Sequence, residues 1–187
     1  MSASPVTVSP DLPAVASDIV VDDAALRAAD LMARFGHLDG VELLRALFKE
    51  MPGQIALVSS FGAESAVLLA MAAEVDPAVP VVFLDTGKLF GETLTYRDKL
   101  SKHLGLTNVQ TFKPDPVAEA ELDKPGTLWR DNPDACCHFR KVEPLDRALA
   151  PYAGWVTGRK RFQSKTRAAL PVIESEGGKL KVNPLAS

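Results

Sequence analysis

Short apolar runs that alternate with helical stretches constrain this chain more than any other feature. Residues 55–58 (Ile-Ala-Leu-Val), 80–84 (Pro-Val-Val-Phe-Leu), 109–112 (Val-Gln-Thr-Phe) and 155–157 (Trp-Val-Thr) have strand length and β-branched or aromatic content. A run of Ala, Val, Leu and Met ending near Val75 separates the first two, and a helical stretch from about Glu92 to Leu104 separates the second and third. This alternation predicts an α/β fold, a mainly parallel sheet with flanking helices. Upstream, Asp22-Asp23 open an amphipathic helix ending near Gly36. Asp39 is placed to cap a second helix, 41–51, stopped by Pro52-Gly53. Residues 113–133 are polar, carry Pro114, Pro116, Pro125 and Pro133, and are expected to be mostly loop with room for a short helix. Residues 142–149 are expected to be helical. Gly177-Gly178, between 170–173 and 179–182, signals a hairpin.

A length of 187 residues predicts one domain, placed at 21–187. Residues 1–20 hold Pro5, Pro10 and Pro13 and no Lys or Arg, which fits a flexible tail and not a signal peptide. No apolar run approaches the roughly 18–20 residues a membrane helix needs. Two cysteines without a secretory signal point to a reducing, cytoplasmic setting. The net charge of −3 hides a segregation. Between His138 and Arg167 eight basic residues, among them Arg140, Lys141, Arg147, Arg159, Lys160 and Arg161, face only Glu143 and Asp146. That stretch is either a solvated basic face or an anion site. The acidic remainder argues against nucleic-acid binding.

Ligands of an open α/β sheet bind at the carboxyl ends of strands, where the strand order switches. Three loops predict that place. Ser59, Ser60, Phe61, Gly62, Glu64 and Ser65 follow the first strand, and their N–H groups with the next helix N-terminus could surround a phosphate. No Gly-Lys-Ser/Thr follows, so this is not a Walker A loop. Leu84, Asp85 and Thr86 follow the second strand, where Asp85 either caps its own turn or accepts from a ribose hydroxyl or a base amine. Gly158, Arg159, Arg161 and Arg167 follow the fourth, and arginine suits bidentate binding of phosphate or sulfate. The combination favours a nucleotide carrying a further anionic group.

Cys136 and Cys137, the two cysteines of the chain, are adjacent. Neighbours are badly placed for a mutual disulfide. They suit a soft metal or an iron–sulfur cluster, yet such centres take four ligands. Two buried small hydrophobes are the plain alternative.

These segments together resemble the phosphoadenylyl-sulfate and adenylyl-sulfate reductase family. The likeness runs from about Leu43 to Ser187. It is carried by Ser59-Ser60-Phe61-Gly62-Ala63-Glu64-Ser65, Leu84-Asp85-Thr86-Gly87, Cys136-Cys137-His138-Phe139-Arg140-Lys141-Val142-Glu143-Pro144-Leu145 and Trp155-Val156-Thr157-Gly158-Arg159-Lys160-Arg161-Phe162-Gln163-Ser164. The resemblance implies an adenine nucleotide alpha-hydrolase-like sheet. It also implies reduction of adenylyl sulfate to sulfite and AMP in assimilatory sulfate reduction, with thioredoxin or glutaredoxin as reductant. Members with a Cys-Cys pair and a later Cys-x-x-Cys carry a [4Fe-4S] cluster and mostly use adenylyl sulfate; members without the pairs use the 3′-phosphorylated substrate. Cys136 and Cys137 would be cluster ligands, Lys141 would link the cluster to the bound sulfate, and Arg167 would bind substrate. The second pair and the nucleophilic cysteine of a C-terminal Glu-Cys-Gly-Leu-His segment have no counterpart among these residues. The expectation is therefore the N-terminal part of a reductase, C-terminally incomplete, without a catalytic residue of its own, inactive as it stands and without an assembled cluster. A 3′-phosphoadenylyl sulfate reductase, a non-catalytic nucleotide-binding fragment and an ATP pyrophosphatase-type adenylyltransferase subunit are the competing readings. The last prefers Ser-Gly-Gly-x-Asp, which Ser60-Phe61-Gly62-Ala63-Glu64 does not match. The sequence leaves monomer and homo-oligomer open.

Overall fold

The computed structural model describes residues 22–62, 65–161 and 170–186. The tail, Glu64 and Arg167 lie outside the described residues. Helices α1 (Asp23–Phe35) and α2 (Gly40–Glu50) precede the sheet. Asp22 caps α1 through its carboxylate, which accepts from the Ala24 N–H at 3.0 Å. Asp39 occupies the N-cap of α2 but makes no side-chain capping bond. Then follow β1 (Ile55–Val58), α3 (Ser65–Val75), β2 (Val81–Leu84), α4 (Gly91–Leu104) and β3 (Val109–Phe112).

The segment expected to be mostly loop folds into α5 (Pro116–Leu122) and α6 (Leu128–Asp131), and its last residue opens α7 (Pro133–Cys137). Pro116 and Pro133 sit at the first helical position of α5 and α7, where a missing N–H costs nothing. Two of the prolines that suggested loop are thus helix starters. Asp115 and Asn132 cap these helices through their side chains. A π-helical turn, His138–Val142, joins α7 to α8 (Glu143–Leu149). β4 (Gly154–Val156), β5 (Ile173–Glu176) and β6 (Lys179–Val182) follow among the described residues.

The six strands form one sheet in the order β3-β2-β1-β4-β6-β5, parallel except for β5, which runs antiparallel to β6. Gly177 and Gly178 turn the β5–β6 hairpin with φ of 58° and 73°, the left-handed pair that a two-residue turn of this hand requires. The first hairpin arm lies three residues later than expected, starting at Ile173 instead of Leu170.

Both faces of the central strands are covered, as a parallel sheet demands. Ile55, Leu57, Val81, Phe83, Val156 and Leu180 point toward α1, α2 and α3 and form the larger core with Leu43, Leu47 and Leu69. Ala56, Val82 and Trp155, one residue out of phase, pack on the other face against Ala148 and Leu149 of α8. At the β4–β6 contact the strands touch through Gly154. A Cβ there would stand 2.7 Å from the Leu180 Cβ and 2.8 Å from its carbonyl oxygen.

Candidate functional site

Strands β2, β1 and β4 are parallel neighbours, so their carboxyl ends open on one edge of the sheet. After β1 the chain moves outward to β2 and β3, then returns to place β4 on the other side of β1. The order reverses between β1 and β4, and the crevice outside that point is where such sheets bind ligands. Two of the expected loops, 59–62 and 158–161, flank this crevice; the third, 84–87, lies one strand away. Gly158 sits against α3, 3.7 Å from the Leu68 Cδ2 measured from where a Cβ would stand.

The first loop carries a strained residue. Phe61 has φ of 53°, the only positive value for a non-glycine among the described residues. A bulky residue there costs about 1–3 kcal/mol and persists only when its surroundings fix it. Burial and edge-on packing against Phe83, with ring centroids 5.5 Å apart, supply that support. The Ser59 hydroxyl, buried, accepts from the Phe61 N–H at 3.1 Å. Ser59 therefore shapes the loop, and the exposed Ser60 and Gly62 face solvent. The Gly62 carbonyl accepts from Ser65 at the start of α3.

In the second loop Asp85 is buried and accepts from the Gly87 N–H at 3.1 Å, and Lys113 reaches its other oxygen at 3.3 Å. Asp85 does cap its own turn, and Lys113 balances its charge. Thr86 presents its carbonyl to a residue the sequence reading did not place in the site, Arg140. The Arg140 guanidinium is buried and donates to Thr86 O at 2.7 Å, to Asp123 at 2.6 Å and to Glu119 at 2.8 Å. Burial works against that charge, but Asp123 and Glu119 outweigh it and push the Arg140 pKa up. The Leu128 N–H, then Arg140, hold the Asp123 carboxyl below the usual carboxylate range.

The third loop is held by the chain that follows β6. Thr157 donates its hydroxyl to Asn183 Oδ1 at 2.8 Å, and the fully buried Asn183 donates to Pro171 O and Glu174. The Gly40 N–H donates to Pro184 O. Asn183 was not singled out in the sequence, yet it fixes where β4 ends. Arg159 pairs with Glu174 at 3.2 Å and Arg161 donates to Leu170 O at 3.0 Å, so both side chains are anchored to β5 and the residues just before it. Exposed Lys141 lines a separate cleft of roughly 540 Å³ with Leu145 and Trp155, and no hydrogen bond or ion pair ties it to another described residue.

Cys136 is buried and Cys137 exposed, both as free thiols at the end of α7. Among the described residues no group of three or more His, Cys, Asp or Glu is arranged to hold a metal. Two thiolates on one helix are half of the donor set of a four-cysteine cluster. The residues present do not by themselves make that site.

An open, mainly parallel sheet with three loops at a switch-point edge defines an adenine nucleotide alpha-hydrolase-like domain. The chain belongs to the phosphoadenosine phosphosulfate reductase family, whose domain profile matches residues 54–187. It is 55% identical over 166 residues to an adenosine 5′-phosphosulfate reductase of Mesorhizobium japonicum, covering 88% of this chain and 65% of that protein. A second adenosine 5′-phosphosulfate reductase, from Chelativorans sp., is 49% identical over 88% of this chain and 68% of its own length. The crystal structure of a phosphoadenylyl-sulfate reductase from Candida auris, in complex with phosphate, superposes with a TM-score of 0.69. It is 31% identical and covers 84% of this chain and 77% of that one. No helix among the described residues is long and apolar enough to cross a membrane.

Proposed function

We propose that this chain binds adenylyl sulfate at the β1/β4 crevice and serves its thioredoxin-dependent reduction to sulfite and AMP. The observation that carries the reading is the strained, buttressed turn at Phe61. It opens the Ser60–Gly62 backbone toward the same edge on which Gly158, Arg159 and Arg161 stand. Backbone N–H groups at the start of α3 suit the phosphate, and anchored arginines suit the sulfate. The Cys136-Cys137 pair and the names of the two bacterial relatives favour adenylyl sulfate over its 3′-phosphorylated form.

The reduction needs two electrons from a dithiol, thioredoxin or glutaredoxin. A cysteine thiolate attacks the sulfate sulfur, the bond from sulfur to the phosphate oxygen breaks, and AMP leaves. The resulting S-sulfonated cysteine is then attacked by the reductant, sulfite departs with the electron pair, and the dithiol ends as a disulfide. These residues hold no cysteine outside the pair. The 187-residue chain accordingly binds without turnover and does not assemble a stable [4Fe-4S] cluster. In a protein that completes the donor set, Cys136 and Cys137 would supply two of the thiolate ligands, and a reducing cytoplasm would keep them from oxidation.

Titration calorimetry of the 187-residue chain with adenylyl sulfate, 3′-phosphoadenylyl sulfate and AMP tests the reading. The expected result is binding of adenylyl sulfate, stronger than of the 3′-phosphorylated compound and weakened by salt. Preference for the 3′-phosphorylated compound would reverse the substrate assignment, and no binding of any of the three would remove the site.

A further inference from the structure

We propose that Arg140 is a positioning residue that couples the helix carrying Cys136 and Cys137 to the loop at residues 84–87, which lies on the sheet edge where the nucleotide is proposed to bind. Nucleotide bound at the sheet edge then slows opening of the cysteine helix. The inference rests on the nucleotide reading above and adds a mechanical link that the fold alone does not require.

The link is narrow. Residues 133–142 and 84–88 are far apart in sequence. Among the described residues the single hydrogen bond between them is Arg140 Nη1 to Thr86 O, 2.7 Å. The same guanidinium reaches Glu119 in α5 and Asp123 just after it. One buried side chain therefore ties the cysteine helix, the 84–87 loop and the first turn of α6, since Asp123 also accepts from the Leu128 N–H. The loop approaches closely: a Cβ on Gly87 would stand 3.4 Å from Arg140 Nη1, so the turn packs directly on the guanidinium. The π-helical turn supports the arrangement. Phe139 and Arg140 face inward while Cys137, His138 and Lys141 stay exposed. Such turns often stand at functional sites. Arg140 Nε is buried and has no partner among the described residues. The spare buried donor carries a cost that packing alone does not call for, since replacing Arg140 together with its carboxylate partners by apolar residues would leave no such donor. Cys136 reports on this link because it is buried and Cys137 is not. A buried thiol reacts only when its helix opens, and a ligand that binds only the closed form suppresses that opening by mass action.

The test is the rate of thiol modification by a chromogenic disulfide reagent, with AMP as the probe and calorimetry to establish its occupancy. Cys137 reacts in a fast phase and Cys136 in a slow one. At ten times its dissociation constant, AMP slows the Cys136 phase by up to about 11-fold. Arg140→Lys keeps a charge but cannot make the fork of contacts; it is expected to cut that slowing below about 2-fold while still binding AMP. If Arg140 merely stabilised the fold, Arg140→Lys would speed the Cys136 phase equally with and without AMP, and an unchanged ratio overturns the proposal. Should the variant not fold, hydrogen exchange of the wild type decides. Protection by AMP that extends over residues 133–142 supports the coupling, and protection confined to the three loops overturns it. Wild type that does not bind AMP overturns the nucleotide reading and this inference with it. Binding with an unchanged Cys136 rate overturns the inference alone.

Discussion

Alanine at two glycines separates folding from binding. Gly154 lies in β4 opposite Leu180 of β6, and Gly158 stands at the β4 exit. A Cβ at 154 would meet the Leu180 Cβ at 2.7 Å and the carbonyl oxygen at 2.8 Å. Ordinary contact begins at 3.4 Å. The strands must part by several tenths of an ångström, and the obstacle is partly backbone, which cannot swing aside. Overpacking of this kind costs about 1–3 kcal/mol, and a backbone obstacle places Gly154→Ala at the upper end, about 3 kcal/mol. For a chain of this size each kcal/mol lowers Tm by about 2–4 °C, so Gly154→Ala should melt about 6–12 °C below wild type. At Gly158 the nearest atom among the described residues is Leu68 Cδ2 at 3.7 Å, which leaves room for a methyl group on that side. Gly158→Ala should melt within about 2 °C of wild type. It should nevertheless weaken AMP, because the methyl group stands in the crevice where ligand must approach the backbone. Differential scanning calorimetry and AMP titration on both variants check this. A Gly154→Ala protein with unchanged Tm would refute the β4–β6 register. Undiminished AMP binding by Gly158→Ala would take the β4 exit out of the ligand's path.

Further outcomes follow from the same contacts. Ser59→Ala strips the buried Phe61 N–H of its acceptor and should lower stability in urea by about 1–3 kcal/mol, with AMP binding falling as the loop relaxes. Asp123 has its folded pKa depressed below the ordinary 3.8, so its stabilisation is present above that value and is lost as pH falls through the folded pKa. Asp123→Asn should therefore be less stable than wild type at pH 7 in urea titrations, and the gap should close below about pH 3.8. Anaerobic reconstitution of the 187-residue chain with iron and sulfide should leave it far short of the roughly four irons per chain of a complete cluster. Iron and labile-sulfide assays decide, and a full complement would show that the cysteine pair finds its other ligands elsewhere.

Much of the sheet was legible because its strands are short apolar runs closed by turn residues. β1 and β3 fall on the expected residues, β2 starts one residue later than expected, and β4 lies one residue earlier. Their shared direction follows from the helices between them, so the sequence itself implies the common edge of residues 59–62, 85 and 158. The helices α5 and α7 were hidden, since Pro116 and Pro133 look the same as loop prolines until their position in the first turn is known. Local sequence is equally silent on the Arg140 partnerships. Asp123 lies 17 residues away and Thr86 lies 54 away, and no periodicity joins them. Arginine within a basic stretch reads as a solvated charge, yet here it is among the most buried polar groups of the protein. Asn183 escaped for a related reason. It follows the last strand like ordinary punctuation, and only the closed fold brings Thr157, Pro171 and Glu174 around it.

The central claim is that the nucleotide lies in the crevice between the β1 and β4 exits. A crystal structure of the chain with AMP tests it most directly. The account predicts the phosphate within hydrogen-bonding distance of the Ser60–Gly62 backbone, with Gly158 and Arg159 on its other side. AMP seated instead in the cleft between Lys88, Lys124 and Arg140, or beside Lys141 and Trp155, would contradict it.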